Sequence, residues 1–441
     1  MHNMANLTPT GPAAKSRRIT PNKLLSYGLV CIMILMAQSP AFAGKREQAK
    51  RIHDLLVGAA PSNTLLDSMA TAVGDAADPP IANLINAANL ALADAESKKV
   101  FANVTLKNFA SPWTNEAQSV FEPLNDYSAT VAGMIINDDD FREVLFGNYI
   151  YTGGNSAGTP YSPNNNAHYI ALENQNIDLS TSLEKTTQTI AAPAGIMTTR
   201  AAARAYFIDG TNRAMLRFTF LNHLCYDMEQ LKDNTRPMDR IRQDVSRSPG
   251  GDSRLFMNNC GACHAGMDPL AQAYARYQWE YTDQEDNGVL AYTADSIQPK
   301  YHINSNNFKG GYVTEDDNWT NYWRRGSNVW LGWGQNTPHH ADYALIALDT
   351  TNDSPEVNVS HGTGAKSLGV ELAHSDAFAR CQVKKVFKTV CMRNPQNNTQ
   401  SGEDDTNAFN NMVANFKGAY GYRLKNVFVE AAAYCSGPST L

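Results

Sequence analysis

Five consecutive residues could act together in chemistry: Cys260, Gly261, Ala262, Cys263 and His264. Thiols three positions apart lie about one helical turn apart, so both can reach one edge of a flat ligand. The histidine that follows can turn a ring nitrogen towards the centre of that ligand. This is the C-x-x-C-H spacing of c-type haem attachment. Each thiol adds across one vinyl group, and His264 takes one axial position on the iron. The small residues at 261 and 262 let the backbone approach the porphyrin closely. Two other chemistries fit a bare C-x-x-C. A zinc site needs further paired soft ligands, and the sequence has no second C-x-x-C and no H-x-x-x-H. A redox dithiol belongs in a thioredoxin-like βαβ setting, which the sequence does not show. One motif implies one covalent haem c.

The second axial position is left open by the sequence. Met267 and Met257 sit too close to the motif in sequence to reach the opposite face of the haem. His302 is the leading candidate, because it follows Tyr301 just beyond an expected hairpin that could fold the chain back. The adjacent pair His339 and His340, the upstream Met238, the distant Met392 and an open site are the alternatives. Bis-histidine ligation would set a lower potential than His/Met ligation.

Other motif-like stretches fail on local grounds. Residues 154–158 match G-x-S-x-G, but that nucleophile elbow must run straight into a helix, and Pro160 and Pro163 follow. Residues 362–367 are similar to a phosphate loop, with Ala365 where Gly must precede the Lys. Asp283, Glu285 and Asn287 could start a calcium loop, but the twelfth position is Ala294 instead of Glu. Trp319, Trp323, Trp330 and Trp333 are read as core or haem-covering residues.

Residues 260–270, CGACHAGMDPL, resemble the C-x-x-C-H-x-x-x-D-P-L segment of a cytochrome-like domain in large exported proteins of planctomycete type. Weaker agreement extends to KRIHDLLVGAAP at 50–61, DFREVLFGNY at 140–149, residues 195–224, and FARCQVKKVFKTVC at 378–391. The Gly that usually follows D-P-L is Ala271 here. The resemblance implies a helical, haem-bearing exported domain and no particular reaction.

Export is also written at the N-terminus. Residues 1–43 carry Lys15, Arg17, Arg18 and Lys23, then an apolar run from Leu24, then Ala41-Phe42-Ala43. That is a secretion signal with cutting expected before Gly44, and the apolar run is too short for a membrane anchor. Without those four cations the chain has 33 basic against 43 acidic groups, a net charge of −10. A nucleic-acid partner is excluded on charge, and no later stretch is apolar enough to span a bilayer. Of six remaining cysteines, Cys225, Cys381, Cys391 and Cys435 lie outside the motif, an even number that predicts two disulfides in an oxidising compartment. Cys381 and Cys391 sit ten apart in one expected helix, about 15 Å, beyond the reach of a bridge. Two connectivities remain, and the favoured one is Cys225 with Cys381 and Cys391 with Cys435, because the last pair joins neighbouring C-terminal helices.

The elements that must position the motif read as a mainly α fold with small β-hairpin insertions and long irregular loops. The regions are 44–197, N-terminal and helical; 198–300, haem-binding; 301–370, loop-rich; and 371–441, C-terminal and helical. Helices are expected over 45–57, 80–100 and from about 198 to 232, with one capped by Asp138 or Asp139 that carries Phe141, Val144 and Leu145. A hairpin is expected from 274–281 and 289–293 around Asn287-Gly288. The leading functional expectation is electron transfer in the periplasm or cell envelope, with a redox partner that presents a basic docking patch to this acidic chain. The alternatives are a haem enzyme or gas sensor with an open iron site, using peroxide, oxygen or nitric oxide, and a structural or interaction protein that haem merely stabilises.

Overall fold

The first helix, Lys45–Val57, is built by apolar spacing: Ala49, Ile52, Leu56 and Val57 are fully buried on one side. It stops at Gly58, whose φ of 78° ends the helical path. Asn63–Val73 follows, capped by Ser62 Oγ, which accepts from the Leu65 N–H at 3.2 Å. Both helices pack on Ile81–Ala93, and Lys45–Val57 and Ile81–Ala93 pack on Leu424–Cys435, so the first and last described helices of the chain share one core. The fold is mainly α with small antiparallel strand pairs, as expected. The computed structural model describes residues 44–76, 78–112, 124–208, 210–282, 287–334, 344–348, 359–398 and 403–437. The signal segment 1–43, Asp283, Glu285, His339 and His340 lie outside the described residues. The regions separated by sequence are segments of one unit, Lys45–Leu441.

Asp126–Ile136 runs through the centre of this unit with every residue buried. Gly133 is required there: a Cβ would fall 2.2 Å from the Tyr151 ring. The expected helix around Phe141 is instead a 3-10 segment, Phe141–Leu145, and its cap is Asp140, whose Oδ1 accepts from the Arg142 N–H at 3.0 Å. Asp138 cannot cap it, being held in the left-handed region at φ 56°. The block expected near 198–232 divides into Arg200–Tyr206, Arg213–His223 and a short 3-10 turn, Met228–Leu231.

The hairpin is present, Tyr277–Tyr281 pairing with Gly288–Tyr292 in antiparallel register. Residues 300–366 hold more order than their composition suggests. Asn318–Asn321, Ser360–Thr363 and Ile346–Leu348 form a three-stranded sheet with Ser360–Thr363 in the middle. Its strands are too short for alternation to show, and polar groups anchor it: Asn321 Nδ2 and Ser360 Oγ both donate to Glu371, at 2.7 and 2.5 Å. A helix that the sequence reading omitted, Thr406–Lys417, buries Phe409, Met412, Val413 and Phe416.

Cys225 is bonded to Cys381 and Cys391 to Cys435, with Cα separations of 5.3 and 5.6 Å. This is the favoured pairing. The first bond ties the segment just after Arg213–His223 to the helix Asp376–Cys391, and the second ties that helix to Leu424–Cys435. No helix among the described residues is long and apolar enough to cross a membrane.

Candidate functional site

Cys260, Cys263 and His264 lie where a π turn, Phe256–Cys260, passes into the helix Gly261–Ala271. One side of that helix is seated so tightly that Gly266 has no room for a side chain: a Cβ would meet the Trp323 indole at 2.2 Å. The reactive residues of the motif are only partly buried. Cys260 and Cys263 are half-buried free thiols, and the His264 side chain is 20% exposed. The four other described cysteines are consumed in disulfides, so the two motif thiols are the ones left for other chemistry. The Cys263 Sγ donates weakly to the Met228 carbonyl at 3.6 Å, and burial pushes its thiol up, away from the thiolate a redox or nucleophilic cysteine needs.

The His264 ring is held from behind. Its Nδ1 lies 3.0 Å from Asp268 Oδ1, one helical turn on, and the Asp268 side chain is 0% exposed. Burial alone would raise the Asp268 carboxyl. The guanidinium groups of Arg213 and Arg242, with the His264 hydrogen bond, outweigh it and hold the carboxyl well below the usual range. Asp268 is therefore a carboxylate and can only accept, so His264 Nδ1 must carry the proton and donate. In the neutral ring the lone pair then lies on Nε2, away from Asp268.

A buried network supports this contact. Arg213 donates to Asp268 through Nε and Nη2, and to Asp244 through Nη1 and Nη2 at 2.7 and 2.8 Å. The Arg242 backbone N–H donates to Asp268 Oδ2 at 3.2 Å, and its guanidinium donates to Thr211 Oγ1 at 2.5 Å. Two guanidiniums thus face two carboxylates, which makes the burial of Arg242 and Asp268 tolerable. The sequence reading gave Asp268 no role and missed Arg213, Arg242 and Asp244. Asp268 had a signal, a carboxylate four residues after a histidine on one helix; the other three come from residues far away in the chain.

The remaining candidates divide. Met238 is brought against the motif: its methyl lies 3.2 Å from where a Gly261 Cβ would be, and it packs with Cys260 on Ile241, Val245, Phe256 and Ala265. His302 is exposed, just after the turn Pro299–Tyr301, whose Tyr301 ring lies under the Arg242 guanidinium at 5.0 Å. Trp319, Trp323 and Trp333 are buried core residues, whereas Trp330 is 49% exposed and rests on the Tyr226 ring. Ser156 lies in a turn with no helix after it, and Ser367 is occupied structurally, accepting from Trp319 Nε1 at 2.8 Å. Among the described residues, no group of three or more His, Cys, Asp and Glu side chains is placed to hold a bare metal ion.

No protein-family model, curated protein or solved structure matches the chain. The reading of the site therefore stands on its own geometry. The donors present fit a haem with its own four ring nitrogens: two unpaired thiols on one helical turn and an imidazole whose outer nitrogen is a free lone pair.

Proposed function

We propose that the chain is an exported monohaem c-type cytochrome that transfers electrons in the periplasm or cell envelope. The observation that carries this is the His264 ring, fixed by Asp268 with Nε2 as its lone-pair nitrogen beside two unpaired thiols. Cys260 and Cys263 would hold the haem by thioethers, and His264 Nε2 would be the proximal iron ligand. When bound, the group supplies a one-electron couple. The chain holds His264 in one orientation, excludes water from Asp268, and presents an acidic surface. A net charge of −10 in the mature chain suits a redox partner with a basic patch. Two disulfides suit an oxidising compartment. His302 is proposed as the distal ligand, with Met238 as its rival because of its place against the motif.

The test is optical, on protein produced with haem-attachment machinery in an envelope compartment. A low-spin spectrum unchanged by cyanide or carbon monoxide is expected. A high-spin spectrum that these ligands alter would reassign the protein to enzymes or gas sensors. His302→Ala examined by electron paramagnetic resonance should convert the low-spin signal to high spin; an unchanged signal would pass the distal position to Met238.

A further inference from the structure

The haem reading assigns Cys260, Cys263 and His264 but leaves unexplained why Asp268 and Arg242 are buried, with Arg213 and Asp244 partly buried, behind the ring. We propose that Asp268, clamped by Arg213, is a positioning residue that fixes the tautomer of His264 and makes it a strongly donating ligand, favouring ferric over ferrous iron. The inference rests on the haem reading for its redox half and on the protein alone for its tautomer half.

The argument is geometric. A ligating histidine needs some acceptor for its second nitrogen, and a neutral carbonyl would serve. Here the acceptor is a full carboxylate with no solvent contact, so no water competes for the ring N–H or screens the charge. Asp268 is itself immobilised by three donors: Arg213 Nε, Arg213 Nη2 and the Arg242 backbone N–H. Arg213 and Arg242 together balance Asp268 and Asp244, yet the atom that meets His264 Nδ1 is a carboxylate oxygen, a stronger acceptor than a neutral carbonyl. That contact raises the basicity of Nε2. A more basic ligand stabilises the higher oxidation state and lowers the reduction potential. The arrangement also forbids ring rotation, since turning the imidazole would leave Asp268 without one of its donors.

Two measurements test this. The first reads the His264 ring nitrogens by NMR in the haem-free Cys260→Ser, Cys263→Ser chain, at a pH high enough that the ring is neutral. Nδ1–H with a bare Nε2 is expected; Nε2–H, or a tautomer mixture, would overturn the proposal whether or not haem binds. The second compares midpoint potentials of the haem-loaded protein and its Asp268→Asn form, which keeps the shape and loses the charge. The variant should rise by about a tenfold change in the ferric-to-ferrous ratio, ~59 mV for one electron. Gly266→Ala is the control for loosening the helix without touching the carboxylate: it should destabilise the protein and leave the potential within about twofold of the parent ratio. Equal shifts in both variants would overturn the proposal. If Asp268→Asn does not fold, Arg213→Lys, which breaks the two-bond clamp, should raise the potential in the same direction, and no shift would overturn it. If the parent chain acquires no covalent haem, the cytochrome reading fails by itself and the NMR result still decides the tautomer.

Discussion

Arg213 grips Asp268 through two parallel hydrogen bonds, Nε to Oδ1 at 2.6 Å and Nη2 to Oδ2 at 3.0 Å. The same guanidinium holds Asp244, so one side chain bridges two carboxylates. Arg213→Met removes that positive charge and leaves two carboxylates facing the Arg242 guanidinium alone. Breaking a buried ion pair from one side costs about 3–5 kcal/mol, and this loss is expected in urea unfolding of the variant. A change below about 1 kcal/mol would mean that the carboxylates find other donors.

Covalent attachment should depend on each motif thiol. The mature protein is expected to carry one haem mass after denaturation, and acid-acetone should not extract it. Cys263→Ser should leave at most one thioether and release tight attachment. Haem that extracts freely from the parent protein would contradict the assignment of Cys260 and Cys263.

The two disulfides close very different spans of chain, 156 residues for Cys225–Cys381 and 44 for Cys391–Cys435. Replacing either pair by serine should cost about 2–5 kcal/mol. Peptide mapping of the oxidised protein should find these two pairings. A Cys381–Cys391 peptide, or four free thiols, would contradict them.

Lys385 should make stability rise at high pH. Its ammonium lies 4.8 Å from the Phe109 ring centroid and has no ion pair among the described residues, and burial pushes it down to about 8 from an ordinary value of 10.5. Between those values the unfolded chain binds a proton that the folded chain has lost. Stability contributed by this group therefore increases from about pH 8 to about pH 10.5. Its titratable neighbour His223 is held well below its ordinary value, first by burial and then by Lys385, and so stays neutral throughout. Lys385→Met should be more stable than the parent by about 1–3 kcal/mol near neutral pH, an advantage that shrinks towards pH 10. A gap that does not vary with pH would rule this out.

Gly266→Ala should destabilise the motif helix. The added Cβ would fall 2.2 Å from the Trp323 indole, and Trp323 is itself fully buried. Overpacking of this kind costs about 1–3 kcal/mol, read as a lower midpoint in thermal or urea unfolding.

The sequence by itself determined what local pattern controls. Ile52 and Leu56 mark a helix face, Gly58 ends that helix, and the runs 277–281 and 288–292 pair as the expected hairpin, because spacing and local patterning act within a few residues. The C-x-x-C-H motif is local for the same reason. One disulfide pairing was excluded by distance, since ten residues of helix hold Cys381 and Cys391 too far apart, and the choice between the other two rested on the neighbouring C-terminal helices. Tertiary structure decided the rest. The sheet of Asn318–Asn321, Ser360–Thr363 and Ile346–Leu348 is assembled by pairing across distant segments and by the buried Glu371, so no window of sequence contains its pattern. Helix Thr406–Lys417 was readable from Phe409, Met412, Val413 and Phe416, and it was obscured by the polar residues around it. At the site, Asp268 lies four residues from His264, whereas Arg213 and Asp244 come from 55 and 24 residues before Asp268. Their meeting depends on how Arg213–His223 packs against Gly261–Ala271, and charge compensation across that contact is a property of the fold alone.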